Sequence, residues 1–222
     1  MTIHLNNQLD LEDAIHALVK QDARLKPIFE LTGMPALRQR EPGFAGLAAI
    51  VTGQQLSTAS AAAIWGRLTA AFDPFDHDVI RKARADRLGR LGLSAAKIKT
   101  LKNIARELAA ERLNLDILAE EDADAAHHTL TALHGIGPWT ADMFMIFALH
   151  RLDVWPTGDL GVRVGFGRAF SLPDTPSALQ LAPLGDPYRP YRSVLAWYCW
   201  RAVEPPPKPV LEPKSPRKTA QK

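Results

Sequence analysis

LHGIGPWTA at residues 133–141, followed by WPTGDL at residues 155–160, is the most informative part of this chain. A helical pattern ends at the start of the first segment. Gly135 and Gly137 permit the positive φ angles that a tight turn requires. Pro138 suits the first turn of a second helix, which we predict to reach about Leu149. The sequence therefore predicts two helices joined by a glycine hairpin, with the carboxylate of Asp159 a short distance further along the chain.

The two helix ends at this hairpin leave main-chain N–H groups directed outward. Such groups attract phosphate through hydrogen bonds and through the helix dipole. They grip a nucleic-acid backbone without reading its sequence. The candidate phosphate contacts are Gly135, Ile136, Gly137 and Thr140.

Composition places the chain among globular proteins without a membrane span. Its 222 residues are 46% hydrophobic and 23% charged, and no apolar run approaches the ~18 residues of a membrane helix. The single cysteine, Cys199, excludes both an internal disulfide and a cluster held by four thiolates. Apolar residues recur at helical spacing, and alternating strand patterns are absent, so we predict an all-α protein.

Charge is distributed unevenly along the sequence. Residues 205–222 carry five basic residues against one acidic residue, which leaves 22 basic against 23 acidic residues in the remainder. Phosphate binding must therefore depend on local arrangement. Residues 81–106 hold nine basic residues opposed by Asp86 alone and are a candidate surface for a polyanion, although solvated helix faces would show the same pattern.

Three segments in order resemble one known family. LHGIGPWTA followed by WPTGDLGV is similar to the helix-hairpin-helix superfamily of DNA base-excision glycosylases, and most similar to the 3-methyladenine DNA glycosylase II family. IVTGQQLS at residues 50–57 with AAAI at 61–64 resembles a further segment of that family. So does YRPYRS at 188–193 with WYCWR at 197–201. The resemblance covers roughly residues 44–201 and is to the compact members, which lack an additional β-rich domain at the N-terminus.

The resemblance implies a two-lobed fold with the active-site cleft between the lobes. We expect residues 44–149 to form one lobe, with the glutamine turn and the hairpin. We expect residues 1–43 and 150–204 to form the other, which carries Asp159. Residues 205–222 are rich in proline and basic residues and should form a disordered tail. A tail without a function is the simpler interpretation, and a tail that contacts DNA weakly is the alternative.

Asp159 is the candidate catalytic residue. An enzyme of this family extrudes a damaged nucleotide from the duplex and breaks its glycosidic bond. Because the sugar becomes cation-like, a nearby carboxylate stabilises that charge or orients water. Asp159 also stands where an N-cap aspartate is common, so helix capping is the alternative interpretation.

Trp139, Phe44 and Trp65 are the candidate residues of the base pocket. Trp139 resembles the family's pocket tryptophan. Purines alkylated at N3 or N7 are positively charged in DNA, and an aromatic face attracts a cation by up to ~2 kcal/mol once water is excluded. The alternative is that Trp139 only packs at the hinge.

The remaining candidate DNA contacts are Gln54, Gln55 and Ser57. By resemblance Gln55 is the wedge that fills the gap left by the extruded base, and an amide can also bond the orphaned partner base. The alternative is that the Gln54 and Gln55 side chains only cap helix ends at this turn. Ser57 is a candidate N-cap as well.

The resemblance also implies the type of reaction and its requirements. Pro138 and Trp139 stand where bifunctional relatives carry a lysine, so we expect base release without strand cleavage. We expect no cofactor, no metal held by side chains, a monomer, and double-stranded DNA with alkylated bases as partner, in the cytoplasm with the nucleoid or in a nucleus. A monovalent cation at the carbonyls of Leu133 and Gly135 is a further expectation. The competing functions are a non-catalytic helix-hairpin-helix module and a glycosylase for oxidised or mismatched bases.

Overall fold

The computed structural model describes residues 4–203, which form thirteen α-helices. In chain order the helices are α1 (Gln8–Gln21), α2 (Lys26–Thr32), α3 (Phe44–Gly53), α4 (Thr58–Ala71), α5 (His77–Lys82), α6 (Ala85–Arg90), α7 (Ala95–Ala109), α8 (Leu115–Glu120), α9 (Ala123–Thr131), α10 (Pro138–Phe147), α11 (Leu160–Ala169), α12 (Ala178–Leu184) and α13 (Arg192–Val203). Extended pairing within residues 4–203 is limited to one isolated bridge between His4 and Arg151. The predicted all-α class is confirmed.

Polar N-cap side chains begin most of the predicted helices. Ser57, Asp76, Ser94 and Asp122 each accept a main-chain N–H of the first turn. Helix α1 begins with a reciprocal pair of caps. Asn7 is the cap and Asp10 is the third helical residue, where its carboxylate accepts the Asn7 N–H and completes a capping box.

The helices pack in two groups, and the segment that carries Asp159 passes between them. In one group α3 contacts α4, α7 and α10, while α5 packs on α7 and α9 packs on α10. In the other group α11 packs against α13, and α13 also contacts α1 and α2. The chain leaves the first group at the end of α10 and enters the second at α11. The predicted lobe boundaries near residues 43 and 149 stay predictions, and the tail prediction for residues 205–222 lies outside the described residues.

Two glycines of α11 allow it to approach α13 closely. A Cβ on Gly165 would lie 1.8 Å from the carbonyl oxygen of Cys199, and a Cβ on Gly161 would lie 2.9 Å from the Trp200 ring. A larger residue at position 165 would collide with main chain that cannot move aside. This close approach fixes Trp200 against the first turn of α11, where Asp159 is the N-cap.

None of the helices in residues 4–203 combines the length and the apolar character that crossing a membrane requires.

Candidate active site

Asp159 lies half-buried at the start of α11, directly after the exposed Gly158. Its Oδ1 accepts the main-chain N–H of Val162 at 2.8 Å, so the helix-capping interpretation is correct for this oxygen. The same carboxylate accepts hydrogen bonds from two tryptophans. Helix capping and a role in chemistry are therefore compatible in this residue.

Two indole rings hold the Asp159 carboxylate. Nε1 of Trp139, on the first turn of α10, donates to Oδ2 at 2.6 Å, and Nε1 of Trp200, on α13, donates to Oδ1 at 2.9 Å. An indole N–H can only donate, so both contacts fix the orientation of the acceptor. The carboxylate is thereby held between a helix of each packing group.

The glycine hairpin has the predicted form, with one difference. Gly135 adopts φ +82°, and a Cβ there would lie 1.9 Å from Oγ1 of Thr100. Gly137 has φ −91° and acts as the N-cap of α10, with Pro138 in the first turn, so positive φ is needed at one glycine only. Both glycines are exposed and remain candidate phosphate contacts.

Two of the predicted phosphate contacts have buried side chains that support the hairpin. Ile136 is 4% exposed and belongs to the core, and its N–H donates to the carbonyl of Leu133. Thr140 is 3% exposed, its N–H donates to the carbonyl of Gly137, and its hydroxyl accepts from Gln54. Their assignment as DNA contacts stays a prediction, and burial limits it to the main chain of the hairpin.

The two glutamines of the turn between α3 and α4 have different environments. Nε2 of Gln54 donates to Oγ1 of Thr140 at 2.9 Å and to the carbonyl of Gly135 at 3.2 Å, which joins this turn to the hairpin. Gln55 is exposed and adopts φ +56°, a left-handed conformation that is uncommon outside glycine. The backbone thus presents Gln55 outward, as a wedge requires, while Gln54 connects the two loops. Ser57 is the N-cap of α4.

Lys97 supports the same turn, and sequence reasoning did not identify it. Its Nζ, on α7, donates to the carbonyls of Thr52 and Gln54 at 2.8 and 2.7 Å. A cation at the C-terminus of α3 also interacts favourably with the helix dipole. Burial lowers the pKa of Lys97.

Phe44 and Trp65 form an aromatic cluster with Phe75. The Phe44 and Phe75 rings stack at 5.9 Å, and Trp65 meets Phe75 edge to face at 4.8 Å. Phe44 is buried, and Trp65 is half-buried. Their assignment to the base pocket stays a prediction, whereas Trp139 is in direct contact with the candidate catalytic carboxylate.

A second carboxyl lies one turn beyond Trp139 on α10. Asp142 is 9% exposed, and Nε2 of His127 on α9 lies 3.5 Å from its Oδ1. Burial first, and the negative charge of Asp159 second, raise the pKa of Asp142 to about 7.

Trp200 is the main active-site residue that the sequence analysis missed. It stands in the third segment of the resemblance, where no local signal sets it apart from the other aromatic residues. Its ring also stacks on Phe147 at 5.7 Å, and Phe147 stacks on Trp197 at 6.2 Å. These three rings line a cavity of about 160 Å³ together with Arg38, Arg201 and the 35–36 segment. Trp200 therefore connects an aromatic cavity to the Asp159 carboxylate.

An all-helical fold that brings one carboxylate beside an exposed helix-hairpin-helix turn defines a DNA-binding protein of the helix-hairpin-helix class. Residues 48–184 match the family model described as HhH-GPD superfamily base excision DNA repair protein, and the chain belongs to this superfamily.

Several relatives carry informative names. The chain is 32% identical over 178 residues to DNA-3-methyladenine glycosylase 1 of Schizosaccharomyces pombe, covering 75% of this chain and 74% of the relative. It is also 32% identical to a probable bifunctional transcriptional activator/DNA repair enzyme AlkA of Mycobacterium tuberculosis, where the match covers 70% of this chain and about a third (32%) of the relative.

Solved structures share the fold. The S. pombe 3-methyladenine DNA glycosylase in complex with abasic DNA superposes with a TM-score of 0.75 at 27% identity, over 85% of this chain and 95% of that one. A DNA-3-methyladenine glycosidase from Bacillus halodurans gives a TM-score of 0.74 at 30% identity, over 85% and 88% of the two chains. A structure of MBOgg1 in complex with a low-affinity DNA ligand, 14% identical with a TM-score of 0.74, shows the shared fold alone.

Proposed function

We propose that this protein is a monofunctional DNA glycosylase that excises alkylated purines, such as 3-methyladenine and 7-methylguanine, and leaves an abasic site in base excision repair. The observation that carries the proposal is the Asp159 carboxylate held by Trp139 and Trp200 beside the hairpin. The relatives named as 3-methyladenine glycosylases support the substrate class.

The hairpin and the glutamine turn would hold the distorted duplex. Gly135 and Gly137 are exposed for phosphate, and Gln55 enters the space that the extruded nucleotide vacates. Because Gln54 connects both loops, a phosphate contact at the hairpin fixes the position of the wedge. Because one extruded base occupies one site, a single protein molecule is sufficient, and we propose that the protein acts as a monomer.

The cavity beside Trp200 is the proposed place for the extruded base. Trp197 and Trp200 offer aromatic surface to a purine there, and Trp139 stays the candidate for the cation–π contact with a base that carries positive charge. In this position the sugar of the extruded nucleotide lies next to Asp159, because Trp200 contacts both the cavity and the carboxylate.

The proposed reaction breaks the bond between the anomeric carbon and the base nitrogen. The bonding electrons leave with the alkylated base, whose positive charge makes it a good leaving group. Asp159 stabilises the cation-like sugar, and water adds its hydroxyl to the anomeric carbon while its proton passes to the carboxylate. Because Trp139 stands where a lyase would need a lysine amine, no Schiff base forms and the strand stays intact.

Replacing Asp159 with Asn tests the proposal. We expect D159N to release 7-methylguanine from methylated DNA at least about 100-fold more slowly than wild type, because the charge that stabilises the sugar cation is lost. D159N should still bind abasic-site DNA. D174N, which alters an exposed carboxylate of the same region, is the matched control and should act like wild type.

Two outcomes of this assay contradict the proposal. Unchanged base release by D159N would remove Asp159 from the chemistry, and absence of base release by wild type would favour a non-catalytic DNA-binding module. Borohydride reduction during turnover tests the absence of lyase activity, because a covalent protein–DNA adduct would reveal a Schiff base. Assays with oxidised and mismatched bases test the remaining alternative.

We also propose that the hairpin carbonyls of Leu133 and Gly135 hold a monovalent cation when DNA is bound. Carbonyl oxygens are suitable ligands for such an ion. Each accepts one hydrogen bond in this structure, from Ile136 and from Gln54, and each keeps a second lone pair. A dependence of abasic-DNA affinity on the identity of the cation at constant ionic strength is the expected result, and equal affinity in all salts of monovalent cations would contradict it.

A further inference from the structure

Asp142 and His127 form a second titratable pair next to the Asp159 site. Asp142 follows Trp139 by three residues on α10, so both side chains lie on the same face of this helix. Trp139 bonds Asp159 directly, and the charge of Asp159 acts on Asp142. The proposed reaction does not use Asp142, although this residue is buried (9% exposed) on the helix that carries Trp139.

The surroundings of Asp142 contain few other groups that titrate. Helix α3, which packs on α10, has no ionisable side chain, and α10 itself has only Asp142. Helix α9 contributes His127, while His128 of that helix lines a separate cleft with Glu107 and Arg112, and Asp124 is exposed at the first turn. From α13, Cys199 is fully buried, and burial with the charge of Asp159 raises the pKa of its thiol, so it stays neutral. His127 is therefore the titratable side chain in contact with Asp142, while burial and the charge of Asp159 raise the pKa of this carboxyl.

We propose that Asp142 is a second acidic group of the active site, which ionises as positive charge develops on the base and sugar and passes its proton to His127. This inference rests on the proposed glycosylase function. The proton moves from the carboxyl of Asp142 to Nε2 of His127, 3.5 Å away, and the imidazole is about one-third exposed (34%), so it can exchange the proton with water. The site then carries two negative charges, on Asp159 and Asp142, when positive charge develops on the base and sugar. Asp142 acts through this charge and does not touch the sugar.

The expected signature is a pH-dependent rate. Because Asp142 loses its proton near neutral pH, the single-turnover release of 7-methylguanine by wild type should rise between pH 6 and 8. The rate should rise by about tenfold for each pKa unit by which the positive charge on the reacting sugar lowers the pKa of the Asp142 carboxyl. D142N, with a similar shape and no charge, should lose the rise. D142E restores a carboxyl and should recover it.

His127 requires its own variant. H127Q keeps a hydrogen-bonding amide but cannot take a proton, so the rise in rate should remain and shift to higher pH. An unchanged profile in H127Q would overturn the assignment of His127 as the proton acceptor.

A readout independent of activity checks that D142N folds. A buried carboxyl with a raised pKa favours the protonated form in the folded state, so it opposes folding increasingly as pH rises from about 4 to about 7, and the penalty is constant above that. The melting temperature of D142N should therefore exceed that of wild type more at pH 8 than at pH 5.

Two results would overturn the role of Asp142. One is a D142N profile that rises with pH as in wild type, and the other is a rate reduced by the same factor at every pH, which a structural role alone would produce. If wild type released no 7-methylguanine at any pH, the proposed function would fail, and this inference with it.

Discussion

Asp159 has two functions that appear as alternatives in the sequence. One oxygen closes the first turn of α11 by accepting the Val162 N–H, and both oxygens accept an indole N–H. The helix cap fixes where the carboxylate lies, and the two tryptophans fix how it is turned. A rigid carboxylate loses little freedom when charge develops next to it, which favours electrostatic catalysis.

The hydrogen bond from Trp200 should contribute measurably to the rate. W200F keeps an aromatic ring and removes the Nε1 donor to Asp159, and a hydrogen bond to a charged group contributes about 1.5–3 kcal/mol. We therefore expect base release to slow by about tenfold or more. W197F is the control for lost ring area, because Nε1 of Trp197 is buried and has no hydrogen-bond partner within residues 4–203, so its slowing should be clearly smaller than that of W200F. Equal slowing in both variants would mean that ring size is the cause.

Helix α10 organises the site more than any other helix. Its N-terminus forms one side of the hairpin, Trp139 in its first turn holds Asp159, and Asp142 lies one turn later. The helix is buried from Thr140 to Ile146. A short helix with so little exposed surface is fixed by packing on α3 and α9, so its side chains hold constant positions relative to the hairpin.

Lys97 should couple the stability of α3 to DNA binding. K97M keeps most of the side-chain length and removes two hydrogen bonds to the carbonyls that end α3. We expect the free energy of unfolding to fall by about 1–2 kcal/mol, since these partly buried carbonyls lose a charged donor. Affinity for abasic-site DNA should fall as well, because Gln55 loses its support.

The control for this prediction is K99M, two residues further along α7 at an exposed position. K99M should leave the thermal unfolding midpoint unchanged. Equal loss of stability in K97M and K99M would show that α7 responds to any lost charge and that the two carbonyl contacts contribute nothing specific.

The sequence predicts the longer helices well, because their caps and apolar periods are local signals. Asp76, Ser94 and Asp122 each mark a helix start. The short helices α6 and α8 are harder to predict, since six residues hold fewer than two turns and show no clear period.

The active site is only partly predictable from the sequence. Asp159 and Trp139 lie within one continuous motif, so their proximity follows from a short return loop. Trp200 reaches Asp159 from 41 residues further along the chain, and that contact depends on the packing of α11 against α13. The buried state of Asp142 and its distance from His127 likewise arise from packing between two helices, which no local pattern encodes.

A polar cluster at Asp22 joins the N-terminal helices to the segment before α13. This residue follows α1, and its carboxylate accepts the Tyr188 hydroxyl at 2.6 Å and the Arg24 guanidinium at 2.6–3.1 Å. Tyr188 precedes α13. The hydrogen bond from Arg24 is the largest influence that lowers the pKa of Asp22 from 3.8 to about 2.

This cluster should make folding stability depend on acid. A carboxyl whose pKa is lowered in the folded state stabilises it above about pH 4, and that stabilisation disappears as pH falls toward 2. D22N should lower the free energy of unfolding by about 1–2 kcal/mol at pH 7, allowing for the exposure of Arg24. The difference from wild type should vanish near pH 2 in denaturant titrations. A deficit that is the same at both pH values would indicate lost packing in place of lost charge.

The amide of Gln54 has a consequence for how the protein searches a genome. Because this single side chain bonds the glutamine turn to the glycine hairpin, we expect the two loops to approach a strand together under the proposed function. Each position along the duplex would then be tested by the wedge and the phosphate contact in one movement, and sliding to the next nucleotide would release both.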